Sequence, residues 1–222
     1  MQVHVERSGA GSPLVMLHGM GASSATWSGC RELLEQHHEV ISMDLPGHGR
    51  SSVDDDPAEY TRDRALGHLD ELLASVSGRP ILIGHSLGGY LALAFAATRP
   101  GVARGIVVLN TGPGYRDPVK REEWNARSRR NAHRFGVPTH VADLNLQEDS
   151  VVMDKLAEIE TPTLFLAGGL DREEYASSGR YLERKMPTAR FVLIPEGEHS
   201  MQETHPAAIA AEIEEFVLSL PT

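Results

Sequence analysis

Short apolar runs recur along the chain, and each is bounded by turn-forming residues. The runs lie at residues 14–17, 40–43, 81–83, 106–109, 163–167 and 191–194. They are continuous rather than alternating, which is typical of strands buried on both faces of a parallel sheet. Val3 and Val5 alternate with polar neighbours and predict a further strand at one edge of the sheet.

Longer segments with helical periodicity separate these strands, at residues 27–36, 62–75, 87–98, 175–185 and 206–218. In the second segment, Ala65, Leu69 and Leu72 recur on one face, as in an amphipathic helix. Strands that alternate with helices predict an α/β fold, with a mostly parallel sheet covered by helices on both faces. The chain length suits a single domain over residues 1–222.

The alternation weakens between residues 113 and 157, where charged side chains are dense. We predict that residues 113–157 are an insertion within the domain, called here the lid segment, with one helix over residues 119–135. That helix carries six Lys and Arg residues against two Glu residues, and a solvated face explains this pattern most simply. A sharper hypothesis is that one of these arginines binds a carboxylate of the substrate.

Ligands of open parallel sheets bind beyond the carboxyl ends of the strands, so the residues that follow each strand carry the candidate chemistry. The strand at 81–83 is followed by Gly84-His85-Ser86-Leu87-Gly88, and a predicted helix comes directly after it. This Gly-x-Ser-x-Gly pattern is typical of a nucleophile elbow, in which small neighbours let a strained serine stand clear of the sheet. A glycine-rich turn without a chemical role is the alternative interpretation.

A serine hydroxyl is a weak nucleophile that needs a base, and the base needs an orienting carboxylate. His199 follows the last strand and is the best candidate base, whereas His205 lies against Pro206 at the start of a helix. Asp171 follows the strand at 163–167 and is the best candidate carboxylate. The competing aspartates lie after the strand at 106–109 and elsewhere in the lid segment, at Asp117, Asp143, Asp149 and Asp154.

Composition narrows the classes of partner. The formal net charge of −10 argues against a broad face that binds nucleic acid. No apolar run approaches the ~20 residues of a membrane span, and the first residues do not resemble a secretory signal, so we expect a cytoplasmic protein without membrane or nucleic-acid partners. Cys30 is the single cysteine, which permits no intramolecular disulfide. The chain has neither metal-ligand spacing nor a dinucleotide-binding glycine pattern, and we expect a small-molecule substrate with no metal and no cofactor.

Five segments at the predicted strand ends form a recognisable set: LHGMGAS (17–23), DLPGHGRSS (44–52), GHSLGG (84–89), PTLFLAGGLD (162–171) and IPEGEHSMQETHP (194–206). With them, nearly the whole chain resembles the α/β-hydrolase family. The resemblance implies that Ser86 is the nucleophile, Asp171 the acid and His199 the base. It also implies an oxyanion hole formed by the backbone N–H groups of Met20 and Leu87, and a lid between the sixth and seventh strands of the family.

Several features depart from the family pattern. Glu198 precedes the candidate base where the family commonly has glycine, and its carboxylate either acts on His199 or points to water. The chain begins almost at the second strand of the usual sheet, and the lid segment is short. We consider His18 a candidate wall of the substrate pocket, and Trp124 of the lid segment a candidate either to line the acyl pocket or to pack within the lid.

These observations predict a serine hydrolase that cleaves small-molecule carboxylic esters through an acyl-enzyme on Ser86. The same residues would serve a carbon–carbon bond hydrolase, a lactonase, a thioesterase or a related lyase, because the fold and the site type are shared. A slow or non-catalytic ligand sensor is the alternative from a different functional class.

Overall fold

The computed structural model describes residues 1–221 and contains one seven-stranded sheet. The strands are β1 (Val5–Ser8), β2 (Ser12–Leu17), β3 (His38–Met43), β4 (Ile81–His85), β5 (Gly105–Leu109), β6 (Thr163–Gly168) and β7 (Ala189–Ile194). Their order across the sheet is β1-β3-β2-β4-β5-β6-β7. β1 pairs antiparallel with β3, and all other neighbours are parallel. The prediction of a mostly parallel sheet is confirmed.

Eight α-helices connect or flank the strands. They are α1 (Ser28–Leu34), α2 (Arg62–Leu73), α3 (Leu87–Thr98), α4 (Pro118–Asn131), α5 (Val151–Lys155), α6 (Glu173–Lys185), α7 (Met201–Thr204) and α8 (Pro206–Ser219), all within residues 1–221. The predicted helix at 87–98 matches α3 at both ends. The helix predicted over 27–36 is shorter at both ends: Trp27 belongs to a preceding 3₁₀ turn, Ser24–Trp27, and α1 ends at Leu34.

The core lies on both faces of the sheet, because successive residues of a strand point to opposite sides. On β2, Val15 and Leu17 pack in one cluster with residues of α2 and α3, whereas Leu14 and Met16 pack in a second cluster with residues of α1 and α8. Each cluster is closed to water, and its burial is the main stabilising contribution. Helices therefore cover both faces, as predicted.

The edge of the sheet at β1 differs from the prediction. The alternation at Val3 and Val5 predicts a strand there, but β1 occupies Val5–Ser8 and residues 1–4 precede it without strand structure. The turn between β1 and β2 spans residues 9–11, where Gly9 and Gly11 both adopt positive φ. A Cβ on Gly9 would overlap the His38 carbonyl, so the turn is pressed against the chain that enters β3.

The lid segment enters between β5 and β6 in the chain and contains α4, α5 and several 3₁₀ turns. The predicted helix at 119–135 ends at Asn131 as α4, and Ala132–Arg134 continues it as a 3₁₀ turn. The part of the lid segment after α4 is attached to α2, because Arg62 of α2 donates two hydrogen bonds to the Asp149 carboxylate, of 2.6 and 3.0 Å. Among residues 1–221, none of the helices combines the length and the apolar character that crossing a membrane requires.

Candidate active site

Ser86 lies at the turn between β4 and α3 in a backbone conformation that non-glycine residues rarely adopt. Its φ is 51° and its ψ is −112°. The Ser86 N–H donates to the Leu109 carbonyl at 2.9 Å, and Thr111 Oγ1 donates to the Ser86 carbonyl at 2.8 Å. Within residues 80–97 Ser86 alone is not buried. These bonds hold a strained serine at the surface of an otherwise closed part of the core.

The glycines around Ser86 are required by the close approach of two strands and a helix. A Cβ on Gly84 would overlap the backbone of Gly88, and a Cβ on Gly88 would overlap the carbonyl of Leu17 at the end of β2. The Gly88 N–H donates to the carbonyl of His18 at 3.1 Å. The Gly-x-Ser-x-Gly pattern therefore has the steric basis that the sequence predicts for an elbow.

His199 and Asp171 are joined by a short hydrogen bond. The distance from His199 Nδ1 to Asp171 Oδ2 is 2.6 Å. The Asp171 side chain is 8% exposed and the His199 side chain 43% exposed, so the carboxylate is enclosed while the imidazole faces the cavity. Since a carboxylate accepts, Nδ1 carries the proton and leaves Nε2 as the free acceptor. Ser86, Asp171 and His199 all line the same cavity.

The loop that carries His199 is fixed through its backbone. The carbonyl oxygen of His199 accepts hydrogen bonds from Asn110 Nδ2 at 2.8 Å and from His85 Nε2 at 2.8 Å. Asn110 Nδ2 also donates to the carbonyl of Glu198 at 2.9 Å, and Asn110 Oδ1 accepts from the N–H of Gly168 at 2.8 Å. Asn110 thereby joins the ends of β5 and β6 to the histidine loop.

Two buried histidines near the elbow are neutral near pH 7. Burial lowers the pKa of His85 to about 3 and that of His18 to about 4. His18 is fully buried, its Nε2 accepts from the N–H of Leu45 at 2.9 Å, and it is absent from the lining of the two cavities that meet at Ser86. The structure therefore places His18 behind the pocket, as a support for the loop after β3, and not in its wall.

The loop after β2 passes next to the elbow. A Cβ on Gly19 would lie 3.3 Å from the Cβ of Ser86, so the neighbouring Met20 amide is close to the serine. Met20 lines the larger cavity and Leu87 the smaller one. Within residues 1–221, neither backbone N–H donates to a protein acceptor. Two unpaired backbone donors thus flank Ser86, at the residues predicted for an oxyanion hole.

The rival candidates are engaged elsewhere. Asp117 caps α4 by accepting from the N–H of Val119, Asp149 pairs with Arg62, and Asp154 pairs with Arg116. His205 begins α8 and, like Asp143, does not line the cavities at Ser86. Glu198 is exposed, and its backbone carbonyl accepts a hydrogen bond from Asn110 Nδ2.

Two cavities meet at Ser86, one of about 510 Å³ and one of about 170 Å³. Six residues line both: Ser86, Trp124, Arg127, Asn145, Arg172 and Tyr175. Trp124 and Arg127 come from α4, so the lid segment forms part of the wall. Trp124 Nε1 donates to the Asn145 carbonyl at 3.0 Å, within the lid segment. Trp124 therefore packs within the lid segment and also lines the cavities, so both of the roles considered for it apply.

Asn110 and Tyr175 are site residues that the sequence analysis missed. The ring of Tyr175 lies 5.3 Å from the His199 ring, centroid to centroid, and burial raises the pKa of its phenol. Tyr175 could have been found from its position, because it follows Asp171 by four residues in the first turn of α6. Asn110 could also have been found from its position, because it directly follows β5 at the edge of the sheet where the candidate residues lie.

Comparisons with known proteins identify the family of the chain. The model of the Alpha/beta hydrolase family matches residues 14–212. The chain is similar to a pimeloyl-[acyl-carrier protein] methyl ester esterase of Aeromonas salmonicida, with 26% identity over 98% of this chain and 100% of the relative.

Solved structures with the same fold include an esterase from Thermogutta terrifontis, at 26% identity and a TM-score of 0.81, covering 99% of this chain and 94% of that one. They also include MenH from S. aureus, at 21% identity and a TM-score of 0.84, covering 98% of both chains. Since the family model covers most of its length, the chain belongs to the alpha/beta hydrolase family and is a hydrolase.

Proposed function

We propose that this hydrolase cleaves small-molecule carboxylic esters through an acyl-enzyme on Ser86. The observation that carries the proposal is the 2.6 Å bond between His199 Nδ1 and Asp171 Oδ2, in the same cavity as a strained and accessible serine. A hydroxyl, an imidazole with a free Nε2 and an enclosed carboxylate are the three groups that acyl transfer to serine requires.

Each residue of this set has a separate role. Ser86 Oγ attacks the ester carbonyl while His199 Nε2 takes the hydroxyl proton, and the imidazolium then gives that proton to the departing alkoxide. Asp171 keeps the proton of the neutral imidazole on Nδ1 and stabilises the imidazolium. A water molecule, activated by His199 in turn, adds to the acyl-enzyme and releases the acid.

The backbone N–H groups of Met20 and Leu87 stabilise the negative charge that develops on the carbonyl oxygen. Both are unpaired within residues 1–221, so they can donate to an oxyanion without first breaking another hydrogen bond. Each such donor contributes about 3 kcal/mol to stabilisation of the transition state. Leu87 is the first residue of α3, and the positive end of that helix dipole adds to the effect.

Ester cleavage is favoured over the alternatives by the relatives that cover the chain fully, since the one from Aeromonas salmonicida is a methyl ester esterase. Lactone, thioester and carbon–carbon bond hydrolysis would use the same atoms, and the ligand sensor would keep them without turnover. The paired histidine and aspartate argue for turnover, because a binding protein has no need of a carboxylate-bound imidazole in the same cavity as a strained serine.

Labelling with a fluorophosphonate tests the nucleophile. We expect the wild type to be labelled and Ser86→Ala not to be, with esterase activity reduced by about 10⁶-fold. Ser200→Ala is the matched control, because Ser200 lines the same cavity without the elbow geometry, and it should be labelled like the wild type. An unlabelled wild type, or a labelled Ser86→Ala variant, would overturn the proposal.

The reaction class is tested on a panel of p-nitrophenyl esters, lactones, thioesters and diketones. We expect kcat/KM to be highest for an ester. Faster cleavage of another class would keep the residues and change the chemistry, whereas labelling of Ser86 without turnover of any member would support the sensor alternative.

A further inference from the structure

Most arginines of this acidic chain are engaged with protein acceptors. Within residues 1–221, five arginine side chains form neither an ion pair nor a hydrogen bond: Arg127, Arg130, Arg134, Arg172 and Arg184. Three of these five, Arg127, Arg134 and Arg172, line a cavity at Ser86. The unpaired arginines are therefore concentrated where the substrate would bind.

Arg127 and Arg172 approach the same place from different parts of the chain. Arg127 comes from α4 of the lid segment, and Arg172 lies in the loop after β6, next to Asp171. Each lines both cavities, so both lie where the two cavities join above Ser86. A group bound between them would bridge the lid segment and the sheet.

The side chain of Arg127 is held in place before any ligand binds. Its guanidinium carbon lies 5.0 Å from the centroid of the Trp124 ring, a cation–π arrangement. Trp124 is itself fixed by its hydrogen bond to the Asn145 carbonyl. Stacking restrains the guanidinium plane but uses none of its N–H donors, which remain free for a ligand.

The acidic groups of the two cavities do not neutralise these arginines. Asp171 is bound to His199 and to the N–H of Arg172. Glu174 and Glu203 are the other acidic residues in the walls, and both are exposed without an ion pair to Arg127 or Arg172. Arg127 and Arg172 are exposed as well, and an uncompensated pair of cations in the walls of both cavities is favourable for an anion.

We propose that the substrate carries an anionic group, of the carboxylate class, which binds between Arg127 and Arg172 while the scissile ester lies at Ser86. This inference rests on the proposed ester hydrolysis and adds its substrate class. A planar guanidinium fork matches a carboxylate in shape as well as in charge, so the pair also orients the substrate. The aspartates and glutamates that outnumber Lys and Arg elsewhere would exclude such anions from most of the surface.

The test compares two esters of the same shape, p-nitrophenyl hemiglutarate and p-nitrophenyl valerate, which differ in a terminal carboxylate against a methyl group. We expect the wild type to have the higher kcat/KM for the hemiglutarate. Arg127→Gln and Arg172→Gln should each lower the ratio of the two kcat/KM values by about tenfold, as expected for loss of a charge-assisted hydrogen bond. Arg130→Gln and Arg184→Gln remove unpaired arginines outside the cavities and should leave the ratio unchanged.

Protection of Ser86 from fluorophosphonate provides a second readout that needs no turnover. Glutarate should slow labelling of the wild type and of Arg130→Gln more than it slows labelling of Arg127→Gln, and inorganic phosphate in a parallel arm distinguishes a carboxylate site from a general anion site. Equal ratios and equal protection in all variants, with Ser86 still labelled, would overturn the inference and leave the proposed function intact. Absence of Ser86 labelling would instead overturn the proposed function.

Discussion

Asn110 is the residue that aligns the candidate base with the sheet. It has a positive φ of 46°, a conformation that asparagine tolerates better than most residues. Its amide can donate and accept at once, and it uses both properties to hold the carbonyls of Glu198 and His199 and the N–H of Gly168. Aspartate has the same shape and the same tolerance of positive φ but cannot donate when ionised.

We therefore expect Asn110→Asp to lower kcat/KM by about 10²-fold, because a displacement of the base by about 1 Å has this order of effect. The carboxylate would face two carbonyl oxygens and push the histidine loop away. Ester hydrolysis and the rate of Ser86 labelling measure the effect, and circular dichroism shows whether the fold persists. A folded Asn110→Asp variant with wild-type kcat/KM would remove Asn110 from its positioning role.

The partners of Asn110 could not be read from the sequence, because they lie 58 to 89 positions further along the chain. The sequence does predict that three candidate residues share one edge of the sheet: Ser86, Asp171 and His199. Each follows a strand whose apolar run is visible, and the carboxyl ends of parallel strands meet at one edge. His18 shares that placement but turns inward, and a strand-end position alone does not state the direction of a side chain.

At the scale of elements, the sequence predicts the bounds of α3 correctly but misses the last two residues of the preceding strand, β4. The helix bounds match, because the apolar run of α3 ends where polar residues return. The strand extends two residues past the predicted 81–83, since Gly84 and His85 pair with Val108 and Leu109 of β5. Backbone pairing continues through glycine and histidine, and hydrophobic patterning carries no information about it.

Two glycine substitutions should have opposite effects on stability. Gly88→Ala places a methyl group against the Leu17 carbonyl and should destabilise the fold by about 3 kcal/mol. Gly67 lies inside α2, where an added Cβ would meet nothing within 4 Å, and Gly67→Ala should stabilise the fold by about 1 kcal/mol. Urea unfolding followed by circular dichroism measures both. A neutral Gly88→Ala variant would contradict the steric account of the elbow.

At the scale of the whole molecule, charge is distributed unevenly. The lid segment carries eight Lys and Arg residues and seven Asp and Glu residues, so its net charge is +1, whereas the other residues together carry −11. The composition of the chain gives only the total net charge of −10. The structure adds that two of the three unpaired arginines of the lid segment, Arg127 and Arg134, line a cavity at Ser86, a distribution that depends on which arginines find partners after folding.

Stability should fall in acid partly because of His18 and His85. Their pKa values in the folded protein are about 4 and about 3, whereas an unfolded histidine titrates near 6.5. Below about pH 6.5 the unfolded chain therefore binds protons that the folded chain excludes, so stability is lost as the pH falls from there toward 4, and it is fully present above 6.5.

The measurement is the free energy of unfolding in urea at several pH values between 7.5 and 4.5. His85→Gln retains a neutral donor toward His199 and cannot be protonated, so the slope between about pH 6 and pH 4.5 should decrease by about 1.4 kcal/mol per pH unit, with no change above about pH 7. An unchanged slope in His85→Gln would show that His85 does not contribute to the acid sensitivity.

The lid segment is inserted between two strands that pair directly with each other, Ile106 beside Thr163 and Leu109 beside Leu166. Because that register does not involve the inserted residues, their sequence can diverge while the strand ends that carry Asn110 and Asp171 stay in place. The proposed reactive residues thus lie outside the insertion, and of the two arginines proposed to bind the anion only Arg127 lies inside it. We therefore expect substitutions within the insertion to change which esters are cleaved, while Ser86 remains open to labelling by fluorophosphonate.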